Sequence, residues 1–288
     1  MKVITKRPFS LNRTVVCIGK FDGLHRGHQV LINSLENEAE IDKVLFTFPL
    51  PGEKNIYTED EKRFLAEKIG VDTYVECPFD ESFRSMSPEQ FVSDILVNEC
   101  HAMAICVGDD FRFGKDRAGD KLLLQALSIK YGYSVKIVRK ETYNEEEISS
   151  TRIRKCIAEG DIGAANDMLG TPLFIMGKIE HGNQIGRTIG FPTTNVILDQ
   201  TKLAPKFGVY LTENHVAGCT YRGITNIGVK PTIAKDNVVS AETFLKDFSG
   251  DIYGENIRTE LIEFVRPEMK FGSIDELKKQ INIDCQRL

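Results

Sequence analysis

The chain changes its hydrophobic rhythm once, at Gly170-Thr171-Pro172, and that change limits the possible folds more than any other feature. Before it, β-branched runs alternate with helical patterns. Thr14–Ile18, Lys43–Phe48, Thr73–Val75, Ala102–Val107 and Ser134–Val138 read as strands. Glu61–Ile69 reads as a helix stopped by Gly70, Ser87-Pro88-Glu89 as a capped start leading into Phe91–Asn98, and Lys121–Tyr131 as a further helix. Such alternation predicts a parallel sheet covered by helices on both faces, with ligands at the carboxyl ends of its strands. Two short helices, Ser149–Glu159 and Ala164–Leu169, lead to the boundary. Beyond it, Phe174–Ile179, Gly208–Thr212, Tyr221–Ile227 and Glu242–Phe248 are short apolar runs among frequent Gly and Pro, the pattern of a small antiparallel barrel. One closing helix, about Ser273–Ile281, carries a serine cap and apolar positions at Ile274, Leu277 and Ile281.

With 288 residues the chain has room for two cores, and we read domains over 1–169 and 170–288. A net charge of −5 argues against a nucleic-acid coat or a general membrane-surface role. The amino terminus lacks the apolar core of a signal peptide, and no run reaches transmembrane length. The seven cysteines are scattered without a C-x-x-C pair, the usage expected of reduced thiols in cytoplasm rather than of a zinc or disulfide frame.

The first strand runs into Gly19-Lys20-Phe21-Asp22-Gly23-Leu24-His25-Arg26-Gly27-His28, followed by the apolar helical pattern Gln29–Leu35. Backbone N–H groups at a helix start attract phosphate, and a spacing of three places His25 and His28 on one helix face. A histidine pair in a loop is commonly structural, but here strand, glycines and helix start all agree with a phosphate site. G-x-G-x-x-G is absent, and no Gly-Lys is followed by Ser or Thr as a P-loop requires. A second segment, Ile148-Ser149-Ser150-Thr151-Arg152-Ile153-Arg154, combines helix-start hydroxyls with a forked cation.

These two segments together resemble the H-x-G-H nucleotidyltransferase superfamily. The forms G-x-F-D-G-x-H-x-G-H and I-S-S-T-x-I-R resemble the adenylyltransferase domain of bacterial bifunctional riboflavin kinase/FMN adenylyltransferases (FAD synthetases). Val107–Lys115 matches that family's V-G-x-D-F-R-F-G-K loop. The resemblance implies an α/β fold with a Rossmann-like parallel-sheet nucleotidyltransferase domain, transferring AMP from ATP to FMN and releasing pyrophosphate. By it, His25 and His28 stabilise phosphate charge, Ser150, Thr151 and Arg154 hold the triphosphate, and Gly19, Phe21, Asp22, Gly23, Asp110, Phe111, Arg112 and Phe113 bind nucleotide or flavin. Thr47-Phe48-Pro49-Leu50-Pro51 is shorter than the family's T-F-x-P-H-P segment and has no histidine; Lys20 stands where small or amide residues are usual.

Gly177–Asn195 reads as a strand entering a glycine loop, and resembles the riboflavin kinase signature G-x-V-x-H-G-x-x-x-G-R-x-x-G-F-P-T-A-N, with Thr194 in place of alanine. The match implies that Gly182, Gly186, Arg187, Gly190, Phe191 and Pro192 bind nucleotide, with Thr193 and Asn195 as oxygen ligands to Mg²⁺. Asn226–Thr232 matches N-I-G-x-R-P-T. Glu242–Phe248 with Asp251–Gly254 resembles E-x-H-x-x-D-F…D-x-Y-G, with Phe244 in the histidine's place. Glu242 is the general base this implies, and Asn226, Arg266, Glu268 and Phe271 fall near the flavin. The resemblance spans residues 12–285. It implies a bifunctional enzyme making FMN from riboflavin and FAD from FMN, with ATP and Mg²⁺, acting on small molecules as a monomer or weak homo-oligomer. A riboflavin kinase with a decayed first half, or a non-catalytic flavin-binding regulator, are the other readings.

Overall fold

All five residues of Thr14–Ile18 are buried, as a central strand covered on both faces must be. The computed structural model describes residues 1–34, 41–49, 52, 54–180, 193–230 (Lys230 by its backbone only) and 238–288. These form two compact units: 1–53 with 59–149, and 54–58 with 150–288.

In the first unit the strands are β1 (Lys2–Ile4), β2 (Thr14–Ile18), β3 (Asp42–Thr47), β4 (Thr73–Glu76), β5 (Ala102–Gly108), the short pair β6 (Arg112–Phe113) and β7 (Gly119–Asp120), β8 (Ser134–Val138), and a hairpin β9 (Thr142–Tyr143) and β10 (Glu146–Glu147). Six make one sheet in the order β1-β4-β3-β2-β5-β8, every pair parallel. The chain leaves β2 for β3 on one side and returns to β5 on the other. That reversal opens a crevice beyond the carboxyl ends of β2 and β5. The helices are α1 (Arg26–Asn33), α2 (Glu59–Lys68), α3 (Glu81–Arg84), α4 (Pro88–Gln90) and α5 (Lys121–Tyr131). Ser87 and Gln90 form a capping box at α4, which continues as a π-helix over Phe91–Glu99. The helix expected from Ser87 is therefore present, but most of it is wound more widely than an α-helix. Asp120 caps α5 by accepting from Leu122 N and Leu123 N, and Gly132 ends it in the left-handed region. Val16, Val44, Phe46, Val92, Ile95 and Val107 fill the core on one side of the sheet. Phe46, fully buried between the Phe83 and Phe91 rings, contributes on the order of 3 kcal/mol.

The second unit begins with α6 (Ser150–Glu159) and α7 (Ile162–Leu169), the latter capped by Asp161 and closed at Gly170. Then come β11 (Leu173–Lys178), β12 (Thr193–Ile197), β13 (Gly208–Val216), β14 (Cys219–Lys230), β15 (Val238–Leu245), β16 (Asn256–Arg266) and α8 (Ile274–Cys285). The sheet order is β11-β16-β13-β14-β15-β12, all antiparallel. Its two edges curl towards one another. Glu180 N donates to Asn195 O at 2.8 Å, and a Cβ on Gly177 would lie 2.5 Å from Val196 Cγ1. Closure of this kind removes exposed sheet edges and makes the small antiparallel barrel that the sequence predicts. Strand β16 is absent from the sequence reading, because Arg258, Glu260 and Glu263 interrupt its apolar alternation. In the structure Glu260 is buried beside Arg258, which pairs with it. β12 likewise forms where the sequence pattern shows only the end of a glycine loop.

Candidate functional site

The turn from β2 to α1 places His25 as the N-cap of α1 and His28 in its first turn. Phe21 and Leu24 hold positive φ angles of 48° and 42°, which bend the chain sharply enough to bury both side chains. The two imidazoles stack, with centroids 3.7 Å apart, and the Phe21 ring meets His28 edge-on at 5.1 Å. A Cβ on Gly27 would sit tightly against the His25 ring at 3.3 Å, so a larger residue there would have to displace that ring slightly. Burial, opposed by the nearby Asp22 carboxylate, lowers His25 from its usual 6.5 to about 4. Burial and the neighbouring His25 push His28 well below its usual value. Both rings are therefore neutral at pH 7. Each Nδ1 is buried without a hydrogen-bond partner, a cost of about 1–3 kcal/mol apiece that a bound ligand can offset.

Beside this turn lies a cavity of about 410 Å³. Gly19 and Lys20 border it at the end of β2, and Asp110, Phe111, Arg112 and Phe113 border it after β5. It thus occupies the switch-point crevice that the topology predicts. The Phe111 and Phe113 rings stack at 5.4 Å; Arg112 pairs with Asp120 and Asp110 with Lys140. The sequence reading did not single out Phe48, Phe79, Phe83 or Phe91, nor the cations Arg84 and Arg117, which complete the wall. Aromatic residues from four separate segments of the chain carry no local signal. Ser150, Thr151 and Arg154 occupy the start of α6, whose residues belong to the second unit.

In the barrel, strand register assembles a second site. Arg266 pairs with Val209, Val209 with Asn226, Asn226 with Glu242, and Glu242 with Asn195. Residues directly opposite one another on paired strands point to the same face, so this single rung aligns four of the predicted residues. Thr193, two residues before Asn195, shares that face. A cavity of about 280 Å³ lies over it, bordered by Thr193, Asn226, Glu242, Arg266, Glu268 and Phe271, with Phe244 alongside. Glu268 lies 3.5 Å from Asn226 Nδ2, and a Cβ on Gly228 would lie 2.1 Å from its Oε1. The Asn195 side-chain oxygen is buried without a hydrogen-bond partner. With the Thr193 hydroxyl it supplies the hard oxygen donors that suit Mg²⁺. Gly182, Gly186, Arg187, Gly190, Phe191 and Pro192, like His181, Leu50-Pro51 and Pro231-Thr232, lie outside the described residues.

Among the described residues, Glu213, His215 and Glu260 also gather within 4.8 Å. Arg258 and Thr220 already pair with this group, and we read it as a cross-strand ionic cluster. All seven cysteines are free thiols. No helix among the described residues is long and apolar enough to cross a membrane.

Comparison with known proteins follows the same division. A family model for FAD synthetase matches residues 8–152, and one for riboflavin kinase matches residues 169–288. A bifunctional riboflavin kinase/FMN adenylyltransferase of Escherichia coli (strain K12) is 38% identical over 94% of this chain and 90% of its own length. Its namesakes in Bacillus subtilis (strain 168) and Haemophilus influenzae are 37% and 36% identical, over 95% and 96% of this chain and 91% and 93% of their own. A crystal structure described as a macrolide-efflux protein from Streptococcus pneumoniae superposes with a TM-score of 0.86 at 29% identity, covering 99% of this chain and 98% of that one.

Proposed function

The chain belongs to the bifunctional riboflavin kinase/FMN adenylyltransferase family, and from that premise we propose how its two cavities divide the work. The barrel phosphorylates riboflavin to FMN, and the parallel-sheet unit adenylylates FMN to FAD, each with ATP. The observation that carries this reading is that each unit has its own cavity bordered by its own motif residues.

In the barrel, the half-buried Glu242 accepts the proton of the ribityl 5′-hydroxyl while that oxygen attacks the γ-phosphorus of ATP. The bond to the β,γ-bridging oxygen breaks, and ADP leaves. Thr193 and Asn195 would hold a Mg²⁺ ion, which when bound neutralises phosphate charge. Asn226 and Glu268 orient the flavin.

In the parallel-sheet unit, a phosphate oxygen of FMN attacks the α-phosphorus of ATP and pyrophosphate departs. No covalent enzyme intermediate is required, so the site works by positioning and by stabilising charge. Neutral His25 and His28 donate hydrogen bonds at the start of α1, where the helix dipole also favours anions. The phenylalanine-lined cavity takes the flavin ring, with Arg84 and Arg117 at its border. Free thiols and small-molecule substrates suit the cytoplasm.

The test supplies purified protein and Mg²⁺ with FMN and ATP labelled at the α-phosphate, or with riboflavin and ATP labelled at the γ-phosphate. The reading expects labelled FAD in the first case and labelled FMN in the second. Labelled FMN alone would reduce the protein to a kinase with a decayed first half. Tight flavin binding without either product would make it a regulator.

A further inference from the structure

Helix α8 has one fully buried residue, and that residue is charged. Of Ile274–Cys285 only Asp284 is buried, at 3% exposure, while Ile274 and Ile283 stand more than half exposed. The Asp284 carboxylate takes a fork of bonds from Arg266: Nε at 3.1 Å to Oδ1 and Nη2 at 2.7 Å to Oδ2. Gln280 Nε2 adds a bond at 2.9 Å to Oδ1, and Arg266 Nη1 is turned to Pro267 O at 3.1 Å. The other polar ties, Arg287 to Glu263 and Arg222 to the Arg287 carbonyl, lie on the surface, where such contacts contribute little.

This ion pair sits in the wall of the barrel cavity. Leu277, Ile281 and Asp284 follow at helical spacing, so one face of α8 lines the cavity opposite the rung that ends in Arg266. A forked Arg–carboxylate pair fixes orientation as well as distance. Cys285 and Leu288 pack the end of the helix against Val209, Leu211 and Ile224, contacts without direction, whereas a buried pair with hydrogen bonds on both carboxylate oxygens specifies one register. Along the rung, Arg266 stands three strands from Glu242, about 14 Å measured along the curved sheet at the usual strand spacing. The pair therefore borders the end of the cavity remote from the proposed base.

We propose that Asp284 is a positioning residue for flavin binding: by clamping Arg266 it seats α8 as the wall of the cavity, setting how tightly the flavin is held without entering the phosphoryl-transfer step. This rests on the reading of the barrel cavity as the riboflavin kinase site. It assigns the carboxy-terminal helix a task in binding that its weak apolar pattern does not announce.

The test is steady-state kinetics of full-length Asp284→Asn, which keeps the shape and removes the charge. The KM for riboflavin is expected to rise at least tenfold with kcat within twofold, and Asp284→Glu to recover part of the loss. Adenylylation of added FMN by the same protein is expected to stay unchanged. A loss confined to kcat, an unchanged KM, or a Glu variant no better than Asn would overturn the proposal. Should Asp284→Asn fail to fold, Gln280→Met removes only the bond to Asp284. It is expected to raise KM severalfold, and an unchanged KM overturns the inference. If the wild-type protein makes no FMN from riboflavin, the kinase reading itself fails. If the wild type is active and the Asp284 variants match it, only this inference does.

Discussion

The two sites are built by opposite means. The first is concentrated in sequence: ten residues from Gly19 to His28 supply the strand exit, the bend and both histidines. Its special chemistry comes from burial, which leaves two stacked neutral imidazoles with unpartnered nitrogens. The second is dispersed: Asn195, Asn226, Glu242 and Arg266 come from four strands and meet only because the barrel sets one register. A local site tolerates changes far from it but depends on the exact side chains of one turn. A register-built site depends on every strand that separates its members.

That contrast can be broken most sharply at the two centres. Glu242→Gln is expected to lower FMN formation by about a thousandfold, the scale of a lost general base, while FAD formation from added FMN continues. Assaying the two half-reactions separately checks this, and unchanged FMN formation removes Glu242 from the role. His28→Ala is expected to lower FAD formation by about a hundredfold, the scale of a lost charge-stabilising donor, with FMN formation intact. A normal rate of FAD formation would defeat the first-site assignment.

Smaller effects sharpen the comparison. Gly228→Ala places a methyl against the Glu268 carboxylate. It is expected to raise the riboflavin KM by about tenfold, the equivalent of a modest packing clash, without touching the first site. A titration of both half-reactions with riboflavin and FMN reads this directly. A further effect is on stability. His25 binds its proton more weakly folded, at about 4, than unfolded, at 6.5. The unfolded chain therefore holds more protons between those values. Stability from this group is complete above pH 6.5 and is lost as pH falls towards 4, a change of about 3 kcal/mol. Melting curves at pH 7 and pH 4.5 are expected to show a smaller acid-induced drop for His25→Gln than for the wild type. Equal drops would mean that His25 is not desolvated.

Legibility in the sequence follows the same division. In the parallel sheet β1 was not readable, because Lys2–Ile4 is a short, largely exposed run. The other five strands were readable because each carries an apolar run and the helices between them have local stops or caps, as at Gly70, Ser87 and Gly132. The H-x-G-H turn was readable for the same reason: its parts are neighbours in the chain. Strand β16 was not, because Glu260 is buried by pairing with Arg258, and paired charges look like solvent-facing ones in a sequence. Asp284 was hidden in the same way. The phenylalanines of the first cavity were hidden because Phe48, Phe79, Phe83 and Phe91 lie in separate segments, and only the fold makes them neighbours. In the barrel the resemblance named the residues, but the rung that aligns them depends on long-range register.

The central claim is that one chain carries both reactions in sequence. Its most direct test is a time course of the wild-type protein with riboflavin, ATP and Mg²⁺, resolved by chromatography into riboflavin, FMN and FAD. The account predicts that FMN rises first and FAD follows at its expense, with one pyrophosphate released per FAD. FMN that accumulates to completion with no FAD, or riboflavin that is never consumed, would contradict it.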